Sequence, residues 1–281
     1  MPKVSVIGIC GKSTFMYVEH FHQNGETLIA DSVYEEIGGK GINQAIAAAR
    51  MGAEVSFLAA IGDDDSGRQC CNVASQNGLK AFWKVKTNKN TAFAFILKDA
   101  SGENRVTEFK SAQLCESDVL DFEAEIASSD ILLLQQEVSP EVNKAAVALS
   151  QKHHVKVILN PAPIREITDD VARGIFAVTP NEHEKQAIDV QRFENCITTL
   201  GSKGCLINEQ VSIDAIDVTA VDTTGAGDVF NGVLAACIAE KTDIETACKY
   251  AVTASGISVS GKYVLNSIPY RHEIERRLYN E

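Results

Sequence analysis

The chain has 281 residues, of which 45% are hydrophobic and 23% charged, and it contains only six prolines. This balance is typical of a folded protein with a substantial core, and it excludes a long disordered tract. The formal net charge of -12 argues against nucleic acid as a partner, because binding a phosphate backbone needs clustered lysine and arginine. We therefore expect a compact protein of enzyme size.

No apolar run approaches the roughly 20 residues that span a bilayer, and the first residues do not resemble a signal peptide. We therefore expect no membrane partner and a cytoplasmic location. The eight cysteines are scattered without CxxC spacing, so we expect reduced thiols in the core.

Short apolar or alternating segments in the first part of the chain predict strands at residues 4–9, 28–34, 81–86, 91–97 and 105–109. A polar turn over residues 99–104 favours a hairpin between the last two. These hairpins do not fit a parallel sheet. We expect them to form a small separate sheet, a lid, inserted at about residues 12–37 and 91–111.

From about residue 112 the pattern changes to strands that alternate with helices. Strands are predicted at residues 131–134, 155–159, 175–178 and 196–200, and helices at residues 139–153, 226–240, 243–256 and 271–280. Such alternation indicates a parallel sheet covered by helices on both faces. We therefore predict a single α/β domain over residues 1–281, with a central, mostly parallel sheet and the small β lid.

The segment Asp222-Thr-Thr-Gly-Ala-Gly-Asp228 follows a strand-like run and opens a long helix. Its small residues leave backbone N–H groups uncovered at the start of that helix, which makes an anion site. Asp228 lies in the first helical turn, where a carboxylate can accept a proton from an attacking hydroxyl. Taken alone, the segment is also consistent with a glycine-rich turn whose aspartate caps the helix.

A second glycine-rich segment, Gly38-Gly-Lys-Gly-Ile-Asn43, precedes a helix predicted over residues 41–51. Asn43 presents a neutral donor and acceptor from the first turn, which suits a sugar hydroxyl. The alternative is a plain glycine-rich loop. Two such loops, each opening a helix, indicate a ligand held between them.

On these segments the chain resembles the PfkB, or ribokinase-like, carbohydrate kinase family. Residues 38–62 and 222–234 match both signature patterns of that family, and residues 160–163, 179–184 and 200–204 are similar to ribokinase segments. The resemblance covers nearly the whole chain. It implies the ribokinase-like fold and transfer of a phosphoryl group from MgATP to a hydroxyl of a sugar or sugar-like molecule.

Carried over position by position, the resemblance makes Asp228 the catalytic base. The amides of Gly225, Ala226 and Gly227 would then form the hole for charge on the transferring phosphoryl group. The residues that would face the acceptor substrate are Ser13, Gly39, Lys40, Asn43 and Glu137, together with Asp228.

The resemblance also implies a nucleotide site and two metal sites. The nucleotide would contact Asn181, Thr199, Gly201, Ser202, Gly204 and Gly227. Glu184 would organise the shell of a magnesium ion through water, because magnesium tends to keep its waters. Asp222 and Thr224 could supply carbonyl ligands to a monovalent cation, and the sequence leaves open whether such a cation is needed.

Two departures from the family pattern concern the acceptor and the cation. Ribokinases carry an asparagine and an aspartate at the positions of Gly11 and Ser13, which puts the usual ribose recognition in doubt. Lys12, if it points inward, favours an anionic acceptor such as a sugar acid or a phosphorylated sugar; it can equally point outward. The loop at residues 262–267 has bulky residues where the family has small ones, which leaves activation by potassium open.

The preferred hypothesis is an ATP-dependent kinase of a sugar or sugar-like molecule. One alternative is a kinase of a nucleoside or another small alcohol in the same family, and another is a non-catalytic sugar-sensing protein on the same scaffold. The intact run Gly225-Ala-Gly-Asp228 argues against the sensor. The expected partners are ATP and the small-molecule acceptor, and the resemblance makes the lid a candidate homodimer contact.

Overall fold

A computed structural model describes residues 1–101 and 103–279 and contains two sheets. Numbered in chain order, the strands of the larger sheet lie side by side as β13 (Val211–Ile213), β12 (Cys205–Ile207), β11 (Asn195–Thr199), β10 (Ala177–Val178), β9 (Lys156–Asn160), β8 (Ile131–Gln135), β1 (Lys3–Ile7), β4 (Glu54–Gly62) and β5 (Lys80–Lys86). The strands from β11 to β5 run parallel, and β12 and β13 add an antiparallel edge.

Helices cover both faces of the larger sheet. They are α1 (Lys40–Arg50), α2 (Asp65–Gln76), α3 (Glu116–Leu120), α4 (Glu123–Ala127), α5 (Pro140–Lys152), α6 (Asp169–Ala172), α7 (Glu182–Lys185), α8 (Ala226–Ala239), α9 (Ile244–Ser258), α10 (Val264–Ser267) and α11 (Arg271–Tyr279). Within the described residues no helix is long and apolar enough to cross a membrane.

The strands alternate their side chains between two apolar cores. In β4, Phe57 packs into one core with α1, α8 and α9, whereas its neighbour Leu58 packs into the other with α3, α4 and α5. Such alternation is the period-2 geometry of a strand whose two faces are both buried. The predicted mostly parallel sheet with helices on both faces is confirmed.

The second sheet has the strand order β3 (Ser32–Gly38), β2 (Gly11–Tyr17), β6 (Ala92–Lys98) and β7 (Asn104–Phe109), and we call it the lid. Its inner face packs on the body, where Phe15 and Ile96 are buried. Its outer face carries Phe95 and Phe109, which are 44% and 47% exposed. The small separate sheet expected from the sequence is confirmed.

Some predicted bounds were wrong. The strand predicted at residues 28–34 begins at Ser32, because pairing of Ser32 with Tyr17 sets its register and leaves Ile29 exposed. No individual strand was predicted at the positions of β2, β4, β12 or β13. Of the eight free cysteines, Cys115 is exposed, contrary to the expectation of core thiols. Gly102, in the predicted turn, and residue 280, at the end of the last predicted helix, lie outside the described residues.

Candidate active site

The N-terminus of α8 exposes backbone amides on a loop that only glycine allows. Gly225 has a φ of 78°, and a Cβ there would lie 2.5 Å from Val264 Cγ1. The Ala226 amide donates to the Thr223 carbonyl at 3.3 Å, whereas the Gly225 and Gly227 amides meet no acceptor among the described residues. Two unpaired N–H groups at a helix start form a site that attracts an anion.

Asp228 follows this loop and is held by the other glycine-rich segment. Its carboxylate accepts hydrogen bonds from Asn43 Nδ2 and Gln44 Nε2, each at 3.0 Å, and only 6% of the residue is exposed. It therefore does not cap its own helix. The helices α1 and α8 approach closely at Gly232, where a Cβ would lie 2.3 Å from the Gln44 carbonyl. This close packing joins both glycine-rich segments at one carboxylate.

Lys40 and Glu137 border Asp228 on one side. The Lys40 amide donates to Glu137 Oε2 at 2.9 Å. The Asp228 carboxylate raises the pKa of the half-buried Lys40 ammonium. Burial raises the pKa of Glu137 to about 7. Asn43 Oδ1 is buried with no hydrogen-bond partner among the described residues, so the pocket keeps one acceptor atom for a hydroxyl.

Glu108 of the lid acts on the same site through its charge. Ser13, Ala94 and Glu108 lie in one cross-strand row of the lid, so their side chains share a face. The charge of Glu108 contributes to the raised pKa values of Lys40 and Glu137. Glu108 also pairs with Lys110 at 2.9 Å. The lid thus brings a carboxylate to the row where Ser13 offers only a hydroxyl.

Lys12 lies on the opposite face of β2 from Ser13, because neighbouring strand residues point to opposite sides. Its ammonium forms an ion pair with Glu35 at 2.7 Å. The inward orientation that would favour an anionic acceptor is therefore wrong, and the outward alternative holds.

A cavity of about 820 Å³ opens beside the start of α8. All six residues predicted to contact nucleotide line it: Asn181, Thr199, Gly201, Ser202, Gly204 and Gly227. Its apolar wall includes Ile216, Val218 and Val252. A volume in this range with an apolar wall and a few polar groups is typical of a small-molecule site, and Gly227 connects it to Asp228.

Asn181 and Glu184 form a capping box at the start of α7. The Asn181 amide donates to Glu184 Oε2 at 2.9 Å, and the Glu184 amide donates to Asn181 Oδ1 at 2.8 Å. Glu184 contributes to the raised pKa of Lys40, so its charge acts across the cleft. The described residues contain no cluster of three or more histidine, cysteine or acidic side chains suited to a metal. One carboxylate fits a magnesium ion held mainly by water and phosphate oxygens.

Asp222 and Thr224 are tied to the lid. The Lys98 ammonium, at the end of β6, donates to Asp222 Oδ1 at 2.9 Å and to Thr224 Oγ1 at 3.4 Å. The same Asp222 oxygen accepts from the Thr224 amide at 3.0 Å. Burial alone would raise the pKa of Asp222, but the hydrogen bonds from Thr224 and Lys98 hold it below its usual value. The side chains of both predicted cation ligands therefore already contact a cation of the protein.

Comparison with known proteins decides the family. The pfkB family carbohydrate kinase profile matches residues 1–271. The chain belongs to this family of carbohydrate kinases.

The similar proteins match at least 96% of this kinase. A ribokinase from Haemophilus influenzae is 34% identical over 294 residues, with 96% of each chain covered. A ribokinase from Bacillus subtilis is 32% identical, covering 99% of the kinase and 100% of the relative. The solved structure of a ribokinase from Thermotoga maritima has a TM-score of 0.89 and 31% identity, with 100% of both chains covered. The predicted family and ribokinase-like fold are confirmed.

Sequence reasoning missed a buried polar network behind the candidate base of the kinase. Gln44 is fully buried, and its Nε2 also donates to Asn160 Oδ1 at 3.2 Å. Gln135 Nε2 donates to Gln44 Oε1 at 2.7 Å. One signal was available, since Gln135 ends an otherwise apolar strand. The roles of Lys98 and Glu108 had no such signal, because only the lid pairing brings them to the site.

Proposed function

We propose that the chain transfers the γ-phosphoryl group of ATP to a hydroxyl of a neutral sugar, with Asp228 as the base. One observation carries the proposal: a buried carboxylate, fixed by two amide donors, stands at a helix N-terminus beside a nucleotide-sized cavity. A fixed carboxylate can take the proton of the attacking hydroxyl, while the cavity holds the phosphoryl donor in line.

The unpaired amides of Gly225 and Gly227 would stabilise negative charge on the transferring group. The Ala226 amide contributes less, because it already donates to Thr223. Glu184 would bind a magnesium ion through water, and that ion supplies positive charge to the phosphate oxygens when bound. The chain itself contributes mainly by positioning the two substrates.

The charges of the acceptor pocket favour a neutral sugar over a sugar acid or a sugar phosphate. Asp228 brings a carboxylate beside the Lys40 ammonium, Glu137 adds a carboxyl whose pKa is about 7, and Glu108 is already paired with Lys110. The Lys40 ammonium is therefore already matched by carboxyl groups of the protein, which disfavours an anionic acceptor. Asn43 Oδ1 can accept a hydrogen bond from a sugar hydroxyl. Ser13 and Gly39 would complete the contacts to the acceptor.

Coupled measurement of ADP release over a panel of pentoses, hexoses, sugar acids, sugar phosphates and nucleosides tests this proposal. Neutral sugars should be turned over, and Asp228→Asn should lower kcat by about 10²–10⁴-fold. Asp243→Asn is the matched control, because Asp243 is a helix N-cap that accepts from the Thr246 amide and lies outside the site. It should leave kcat unchanged.

Other outcomes would select other functions. Turnover of nucleosides without turnover of sugars would replace the acceptor class. Ligand binding without phosphoryl transfer, together with an Asp228→Asn variant that binds as the wild type does, would support a sugar sensor.

We further propose that the outer face of the lid joins two copies of the chain. Phe93, Phe95 and Phe109 form an aromatic cluster there, with ring centroids of Phe93 lying 5.5 Å and 5.1 Å from the other two. Burying this apolar cluster against a second copy would be favourable. Light scattering should find a dimer that Phe95→Glu converts to a monomer. Val85→Glu, at an exposed apolar residue on β5, should remain dimeric. A monomeric wild type would refute the contact.

A further inference from the structure

The residues beside the catalytic loop that could bind a monovalent cation do not fit such an ion. Asp222 Oδ1 and Thr224 Oγ1 already accept hydrogen bonds from the Lys98 ammonium, and the Lys98 and Asp222 side chains are only 14% and 13% exposed. A second cation on the same buried carboxylate oxygen would be repelled by this ammonium.

The loop at residues 262–267, the other candidate source of cation ligands, also leaves no room for a cation. The Val264 side chain packs against Gly225, at the place where any added Cβ would be only 2.5 Å from Val264 Cγ1. The amides of Val264 and Leu265 donate to the Glu36 carboxylate, at 3.2 Å and 3.4 Å. The loop is therefore filled by an apolar side chain and tied to the lid.

We propose that Lys98 is a built-in cation that positions the catalytic loop, so that phosphoryl transfer needs no added potassium. Its ammonium neutralises Asp222 and is bonded to Thr224, directly before the loop that carries the unpaired amides. Lys98 does not touch the reacting atoms, so it is a positioning residue. Because it belongs to β6, it also ties the position of the lid to that of the loop.

Neighbouring lid contacts support this role. Tyr34 of β3 stacks on Tyr263 with ring centroids 3.4 Å apart, and the Lys98 ammonium lies 5.6 Å from the centroid of the Phe15 ring. The Lys98 side chain is only 14% exposed, and this shielding from water strengthens the attraction of its ammonium to Asp222. A free ion at this place would exchange with solvent, whereas a tethered ammonium stays with the protein.

The kinetic arm of the test rests on the proposed phosphoryl transfer. Rates are measured with tetramethylammonium as the only monovalent cation, and again with potassium or ammonium at the same ionic strength. The wild type should show the same kcat in all three. Lys98→Met should lose about 10- to 100-fold in kcat, with a smaller change in KM, and potassium or ammonium should restore much of the loss.

Lys12→Met is the matched control, because Lys12 forms an ion pair within the lid and does not contact the catalytic loop. The Lys12→Met variant should have the wild-type kcat, and that kcat should not depend on potassium. Strong stimulation of the wild type by potassium would overturn the proposal, and so would full activity of Lys98→Met without potassium.

Thermal unfolding provides an arm that needs no activity. Replacing tetramethylammonium by potassium should raise the Tm of Lys98→Met and leave the wild-type Tm unchanged, because a ligand stabilises only the state that binds it. A potassium-dependent rise in the wild-type Tm would overturn the built-in cation even if no acceptor were turned over. If the wild type showed no kinase activity but its Tm did not depend on potassium, the result would count against the proposed function and not against the built-in cation.

Discussion

Replacing Glu137 by glutamine should change how the stability of the protein depends on pH. Burial raises the pKa of this carboxyl from 4.5 to about 7, despite the opposing effect of Lys40. The folded protein therefore binds the Glu137 proton more tightly than the unfolded chain does. Below about pH 4.5 the side chain is neutral in both states, and stability is lost as the pH rises towards 7.

The pKa change corresponds to roughly 3 kcal/mol of unfolding free energy between pH 4.5 and pH 8. Glutamine has nearly the same shape, and its oxygen can still accept from the Lys40 amide, but it has no proton to lose. As the pH rises from 5 to 8, the unfolding free energy of Glu137→Gln should therefore increase relative to that of the wild type by roughly 3 kcal/mol.

Urea denaturation of the ligand-free proteins at unit pH steps measures this difference. Glu54→Gln, which removes an exposed carboxylate at the start of β4, controls for the loss of one negative charge. Parallel stability curves for Glu137→Gln and the wild type from pH 5 to 8 would refute the reasoning, because they would mean that the Glu137 carboxylate carries no penalty for burial.

Three further substitutions test the site and its support. Gln44→Ala leaves buried polar partners without hydrogen bonds and should cost about 2–4 kcal/mol in urea denaturation, with a lower kcat; an unchanged kcat would show that the network does not orient the base. Gly225→Ala should lose about 1–3 kcal/mol and most of kcat, because its Cβ would clash with Val264. Gly78→Ala, at a φ of 71° with open space, should keep kcat, and equal losses in both would argue against the clash. Ser139→Ala removes the N-cap of α5 and should cost about 1 kcal/mol in thermal unfolding without affecting KM; no loss would show that the cap bond is weak.

Predictions about the two glycine-rich segments depended on local rules and on the family resemblance. A glycine-rich run before a helix predicts exposed amides from backbone geometry alone, and the six predicted nucleotide residues do line one cavity. The Ser139 N-cap was likewise predictable, because a cap bond joins residues three apart. The strand at residues 28–34 was placed wrongly because its bounds follow from pairing with β2, which is not local.

The sequence by itself determined the alternating strands and helices, the two glycine-rich helix starts and the family. These features depend on period, on backbone freedom and on motifs within a few residues of one another. Only the tertiary structure decided that Gln44 holds Asp228, that the charge of Glu108 acts on Lys40, and that Lys98 reaches Asp222 while Lys12 pairs with Glu35. Such contacts join residues that are far apart in the chain. The sequence around a lysine does not show which carboxylate it will contact, because strand register fixes the direction of its side chain.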